Sequence, residues 1–212
     1  VTDKYAIVGS DDGESDSTSD SSYVYCFDKL TGEVVQKVGP HHGDIRSDIS
    51  YYDGRIYFTS KGGYLYSYNL KEDGTIDTEN LIEPIEIGKM STSTPAIANG
   101  RCYVGSSYGS NFSGTYGISV VDINAETGAM NLEYVVYTDA YPQTSGVVST
   151  GYKGYNYVYF ATNGPSGNLW VVKDAPGMTE PDEGSQILYT PEHKQYCISS
   201  VAVDKDGTIY FK

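Results

Sequence analysis

The chain has 212 residues, 22 of them tyrosine, and carries 28 acidic against 14 basic side chains, a net charge of −14. That charge repels phosphate, which argues against nucleic acid as a partner and against anionic membrane surfaces. No apolar run approaches the roughly 18 residues a membrane helix needs, so membrane insertion is not expected.

In chain order, a first strand at Ala6–Ser10 is followed by an acidic loop from Asp11 to Asp20 and a strand at Tyr23–Phe27. A turn at Asp28–Gly32 leads to a further strand from Glu33 to Val38. The pattern then restarts. Tyr52-Asp53-Gly54 reads as a hairpin turn before Ile56–Ser60, Tyr64–Tyr68 alternates, Asn69–Gly74 turns, and Ile85 and Ile87 mark a last strand. Next come Thr94–Ala98, Asn99-Gly100, Cys102–Ser106, Ile118–Val121 and a turn at Asn124–Gly128. Asn-Gly between apolar runs is a strong hairpin signal, because both turn residues need positive φ. A fourth unit has its hairpin at Tyr152-Lys153-Gly154, strands at Val158–Thr162 and Leu169–Val172, and a tail from Asp174 to Gln186 with Pro176 and Pro181. A fifth has only Ile198–Val203, the turn Lys205-Asp206-Gly207 and Thr208–Lys212.

The second strands align at Ile7, Tyr57, Tyr103, Tyr159 and Tyr210, separated by 50, 46, 56 and 51 residues. A period near 40–50 residues made of short strands predicts a β-propeller of four-stranded antiparallel blades. The fold class is therefore all-β, a partial propeller of three complete blades and two incomplete ones, in a single domain over residues 1–212. The array reads as an excerpt of a larger propeller. Its uncovered end faces are expected to carry Tyr23, Tyr25 and Phe27 at one end and Ile209 and Phe211 at the other, and to favour self-association.

The turn after each third strand opens on Asp or Asn and closes on Gly, as in Asp28-Lys29-Leu30-Thr31-Gly32 and Asn124-Ala125-Glu126-Thr127-Gly128. This resembles the Ala-x-Asp-x-x-Thr-Gly-x-x-x-Trp repeat of pyrroloquinoline-quinone-type propellers, with Cys26 and Asp122 at the Ala position. The resemblance extends over the whole chain as architecture. It departs at the Trp, where Gln36 and Leu132 stand. In that family the Trp docks neighbouring blades, so the tyrosines are expected to take over.

Candidate chemistry is sparse. Asp12, Glu14, Asp16 and Asp20 fall at positions one, three, five and nine of a calcium-loop count, but Ser17 replaces the turn glycine and Tyr23 the closing Glu. Gly105-Ser106-Ser107-Tyr108-Gly109 fits a Gly-x-Ser-x-Gly pattern, yet lies between strands rather than on the strand-to-helix turn that a nucleophile requires. His41-His42-Gly43-Asp44 is a metal candidate that reads better as a surface connection. Asp204-Lys205-Asp206-Gly207 reads as a turn. Tyr108, Phe112, Tyr116, Tyr141 and Tyr155 are aromatics that could stack on sugars or peptides, or pack between blades. Cys26, Cys102 and Cys197 are an odd set at unrelated positions, expected as free, buried thiols.

The family resemblance implies a quinone and Ca2+ at the hub. No basic and carboxylate cluster for them is legible, and no cofactor is expected. The expected function is a non-enzymatic binding or scaffold module of an exported or cell-surface bacterial-type protein, extracellular or periplasmic, with a protein or carbohydrate ligand. The alternatives are a quinone-dependent dehydrogenase and an outer-membrane assembly-type scaffold. If the acidic loop held calcium, a hundredfold excess over Kd would add about 2.7 kcal/mol of stability. No such gain is expected in millimolar Ca2+. A melting shift of several degrees, abolished by Asp16→Ala, would establish the site.

Overall fold

A computed structural model describes residues 1–11, 19–109, 114–165, 167–193 and 196–211. All regular structure among them is β. The first sheet is β1 (Tyr5–Gly9), β2 (Asp20–Asp28) and β3 (Val34–His42). The second is β4 (Ser50–Tyr52), β5 (Arg55–Thr59), β6 (Tyr64–Asn69) and β7 (Ile85–Glu86). The third is β8 (Ala96–Ala98), β9 (Arg101–Ser107), β10 (Tyr116–Ile123) and β11 (Met130–Thr138). The fourth is β12 (Val147–Tyr152), β13 (Tyr155–Ala161), β14 (Leu169–Asp174) and β15 (Gln186–Tyr189). A last pair is β16 (Ala202–Val203) and β17 (Ile209–Tyr210). Strands pair antiparallel and in sequence order throughout, so each sheet is a meander. The result is a partial β-propeller of three complete blades between two incomplete ones, not closed into a ring.

The turns follow from local chemistry. Asp53, Asn99 and Lys153 have φ of 49°, 53° and 52°, each followed by a glycine at positive φ, the left-handed pair a two-residue hairpin demands. In the turn after the third strand, the Asp28 carboxylate accepts from the N–H of Leu30 at 2.8 Å and of Thr31 at 2.9 Å. Asn124 Oδ1 accepts from Glu126 and Thr127 in the same way, at 3.0 and 2.9 Å. The Thr31 and Thr127 hydroxyls then accept from the N–H two residues on, and Gly32 and Gly128 carry the positive φ. The Asp/Asn-x-x-Thr-Gly repeat is thus a self-contained turn. Its backbone donors hold the Asp28 carboxyl below the usual carboxylate range.

Burial follows the stacking of blades. β5 and β9 are buried at every position, because a sheet covers each face. β2 alternates instead: Val24 and Cys26 are fully buried, whereas Tyr23, Tyr25 and Phe27 lie half-buried on the outer face. There the three rings form a ladder, with centroids 6.3 and 6.0 Å apart, and Lys37 Nζ sits 3.7 Å from the Tyr23 ring centre. The other end differs from expectation. Ile209 and Phe211 turn inward and pack with Ala161, Leu169, Cys197 and Val201, and Phe211 meets Tyr189 at 6.2 Å. Tyr210, 57% exposed, faces out instead. The two-residue strand β17 is too short for alternation to show which side is covered.

Apolar cores fill the gaps between successive blades. Ile7, Val24, Cys26 and Val38 meet Ile56, Phe58 and Tyr66. Tyr57, Leu65 and Ile87 meet Cys102, Val104 and Val121. Tyr103, Ile118 and Val120 meet Val158, Phe160 and Val172. Each such side chain contributes about 1.5–3 kcal/mol on burial. Cys26, Cys102 and Cys197 are free thiols in three different cores, and burial pushes the Cys102 pKa upward.

Polar ties cross the same gaps. Gln36, at the position of the missing Trp, docks its amide on the next blade, donating to Ile76 O at 2.8 Å and accepting from Ile76 N at 2.9 Å. Tyrosines do bridge blades, and their hydroxyls bond the neighbour's backbone: Tyr66 accepts from His42 N–H and Tyr52 from Gly100 N–H. Two arginines at the start of a second strand reach the following blade's turn. Arg55 donates to the carbonyls of Ala125 and Glu126 at 3.2 and 3.1 Å. Arg101 pairs with Asp174 through two bonds of 2.9 and 3.0 Å, the side chains 1% and 0% exposed. Asp174 also accepts from the Tyr103 and Tyr134 hydroxyls, and Asn156 donates to Tyr103 Oη. Burial opposes the Arg101 charge, but Asp174 outweighs it and raises the guanidinium pKa.

Removing one partner of a buried pair strands the other. Asp174→Ala should therefore cost about 3–5 kcal/mol. Asp122, half exposed and only 3.3 Å from Arg101, should cost less than about 1 kcal/mol on replacement by Ala. Urea unfolding of the two variants checks this; similar losses from both would contradict the clamp.

Candidate functional site

Each later blade enters through a triplet with a hydroxyl residue in the middle: Arg46-Ser47-Asp48, Thr92-Ser93-Thr94, Gln143-Thr144-Ser145 and Ile198-Ser199-Ser200. Extended backbone alternates its side chains. In the first three triplets the middle residue is buried in the blade and the outer two are more open. The outer residues of all four triplets line one cavity of ≈ 370 Å³ at the hub. One ring is Arg46, Thr92, Gln143 and Ile198; the other is Asp48, Thr94, Ser145 and Ser200.

The buried hydroxyls tie the hub together. Ser47 Oγ accepts from Thr59 N–H at 2.9 Å, Thr59 Oγ1 donates to Ser93 O at 2.8 Å, and Ser93 Oγ donates to Thr144 O at 2.7 Å. Thr94 Oγ1 accepts from Asp48 N–H at 2.9 Å. The ladder thus runs from the second blade to the fourth. The Thr144 hydroxyl, buried beside the cavity, has no partner among the described residues. The triplet recurs in the sequence as a hydroxyl residue entering each later blade, a signal that carries no titratable side chain at its centre to mark it as a site.

Among the described residues, the cavity's lining holds one cation, Arg46, and one carboxylate, Asp48. Arg46 is engaged by Asp11 at 2.6 Å and by fully buried Asp44 at 3.2 Å, which also pairs with Lys61 at 3.3 Å. Pyrroloquinoline quinone is a tricarboxylate and needs several free donors of positive charge. A single guanidinium already held by two carboxylates, among neutral hydroxyls and an amide, does not fit it. Among the described residues no group of three metal-ligating side chains converges.

A second cleft of ≈ 310 Å³ lies between the third and fourth blades and the entry to the last. Tyr116, Asp139, Tyr141, Asn163 and Tyr196 line it above Ala140 and Gly164. Asn163 Nδ2 donates to Gln143 Oε1 at 2.7 Å, so this cleft and the hub share a hydrogen-bonded wall.

The other sequence candidates are absorbed by structure. Asp12, Glu14 and Asp16 lie outside the described residues. Asp20 is on β2, where its Oδ1 is 2.6 Å from His42 Nδ1. The paired histidines are not a surface connection: they end β3, and His41 is 2% exposed. His41 Nε2 bonds the Tyr68 hydroxyl at 2.9 Å, and its ring meets Phe58 and Tyr66 edge-on at 5.2 and 4.8 Å. His42 points the other way, so the two do not converge. Ser107 ends β9 and donates to Gly109 O at 3.0 Å, and the described residues that follow it hold no helix to form an elbow. Asp204 caps its turn by accepting from the N–H of Asp206 and Thr208, both at 2.9 Å.

Of the aromatic candidates, Phe112 lies outside the described residues. Tyr108 bonds Ser119 Oγ at 2.8 Å, and burial pushes its pKa up to about 12. Tyr141 is 2% exposed and accepts from Thr92 N–H at 2.8 Å. Tyr155 lies under Lys173 Nζ, 4.2 Å from the ring centre. Tyr141 is therefore a packing residue. Tyr116 is half-buried at the second cleft, and Tyr196, 72% exposed and not singled out by the sequence, stands at its rim.

No protein-family model matches the chain, and no curated protein matches it in sequence. Solved structures do match in fold. The chain aligns with BamB from Moraxella catarrhalis at 16% identity and TM-score 0.53, covering 96% of this chain and 51% of that one. It aligns with quinohemoprotein alcohol dehydrogenase from Comamonas testosteroni at 13% identity and TM-score 0.55, covering 90% and 35%. A putative 6-phosphogluconolactonase from Bacteroides uniformis gives 15% identity and TM-score 0.55, covering 92% and 55%. The chain thus spans about half or less of the length of these proteins, and the likeness is one of fold.

Burial pushes the His41 pKa from 6.5 down to about 4. The folded state keeps the ring neutral, while the unfolded chain takes up a proton below pH 6.5. Stability is thus complete above pH 6.5 and falls as the pH drops toward 4, by about 3 kcal/mol in all. His41→Phe should flatten this slope. Urea midpoints across this range check it; parallel profiles would contradict it.

Proposed function

We propose that the protein is a non-catalytic binding or scaffold module built on a partial propeller. One observation carries this reading. The groups that could do chemistry are spent on the fold: His41 and the three thiols are buried between blades, and Arg101 and Asp174 clamp them. What converges on open space at the hub is mostly hydroxyls and an amide, suited to hydrogen bonding, with Arg46 already held by Asp11 and Asp44 and Asp48 the one carboxylate beside them among the described residues. Protein or carbohydrate is the ligand class that such a lining and an acidic surface accept. The reading includes an exported or cell-surface location, supported by the richness in Tyr, Ser and Gly. An outer-membrane assembly-type scaffold is one form of the same non-catalytic role.

A quinone-dependent dehydrogenase is the rival, favoured by the fold likeness to quinohemoprotein alcohol dehydrogenase. Titration of the chain with pyrroloquinoline quinone and Ca2+, followed by dye reduction with a primary alcohol, separates the two. No saturable binding and no dye reduction are expected. Tight quinone binding with turnover would overturn the binding-module reading.

A further inference from the structure

We infer that the cleft between Tyr116 and Tyr196 binds the pyranose ring of a neutral carbohydrate. The inference rests on the binding-module reading and names its ligand class.

The argument starts from what a sugar offers. A pyranose has an apolar C–H face and a rim of hydroxyls that both donate and accept. Recognition needs an aromatic surface beside fixed hydrogen-bonding groups. The cleft supplies both. Tyr196 stands 72% exposed at the rim, and the half-buried Tyr116 ring forms the opposite wall, 6.1 Å from Tyr141.

The polar groups are held in place from behind. Asp139 Oδ2 accepts from Asn168 Nδ2 at 2.8 Å, and its Oδ1 accepts from Trp170 Nε1 at 2.6 Å. A carboxylate has about four acceptor sites, so two bonds orient it and leave capacity for ligand hydroxyls. Asn163 is fixed through its Nδ2 by Gln143, and its Oδ1 is a buried acceptor with no partner among the described residues. The floor is thin: a Cβ on Gly164 would lie 2.7 Å from the Ala140 Cβ. Small residues at both positions keep the space open.

Charge selects among ligands. Among the described residues the lining contains a carboxylate and no Lys or Arg, in a chain of net charge −14. Phosphorylated sugars, nucleotides and uronic acids are disfavoured. At ≈ 310 Å³ the cleft is at the small end of ligand pockets, a size for one ring of an oligosaccharide rather than a folded partner.

The chain carries its own reporter, because its single tryptophan, Trp170, bonds Asp139 directly. The full chain is titrated with maltotriose, cellotriose and triacetylchitotriose at millimolar concentrations while Trp170 emission is followed. A saturable change with at least one of them is expected, and none with glucose 6-phosphate. Tyr196→Ala, an exposed substitution, should weaken binding roughly tenfold, and Tyr196→Phe should keep the stacking and most of the affinity. Both variants should melt as the parent does. An unresponsive Trp170 with all three sugars would overturn the site, as would binding unchanged in Tyr196→Ala. A response to an arginine-rich peptide alone would overturn it too, by giving Asp139 an ionic partner. Dye reduction by the quinone-loaded chain is the separate result that removes the underlying reading; its absence together with a silent Trp170 removes the sugar site alone.

Discussion

A sheet has two faces, and in this molecule a neighbouring sheet is what covers them. That constraint governs the rest of the structure. The interior strands β5 and β9 lose the polar alternation of an ordinary antiparallel strand because both their faces are core. The end strand β2 keeps it, and its outer ladder of Tyr23, Tyr25 and Phe27 marks a face left uncovered here. Stability therefore accrues by interface, as in other stacked repeats, where each unit leans on its neighbours.

Apolar packing alone would let blades slide, since it has no direction. The polar ties supply direction. Gln36 on Ile76, Arg55 on the Ala125 and Glu126 carbonyls, and Arg101 on Asp174 each fix one blade's height against the next. Toward the hub the same task falls to hydroxyls, through Ser47, Thr59 and Ser93. The inner surface can then stay neutral and hydrogen-bonding, which is why the cavity there is polar yet poor in charge. The side cleft borrows rigidity from this frame through Gln143 and Asn163.

Much of the architecture was legible because its determinants are local. Asn99-Gly100 and the Asp28–Gly32 turn encode their geometry within a few residues, and five second strands spaced 46 to 56 residues apart give the blade. What escaped was what depends on distant partners. Arg101 and Asp174 stand 73 residues apart, and nothing near either predicts the pairing. Gln36 looked like a lost tryptophan, because its docking surface is a backbone 40 residues away. His41 looked exposed because its neighbours are polar, yet Phe58 and Tyr66 from the next blade enclose it. The second cleft draws on three blade regions; Tyr116 and Tyr141 look alike as aromatics in the sequence, and only the fold makes one wall and the other support.

The cysteines carry one more consequence. Cys26, Cys102 and Cys197 each occupy a different seam between blades, and none is near enough to another to bridge. A thiol so enclosed is sheltered from oxidants while its seam is shut, and meets them only when two neighbours part. The array thus carries a chemical marker in three of its joints, and the order in which those sulfurs become reactive under stress would record the order in which the stack comes unzipped.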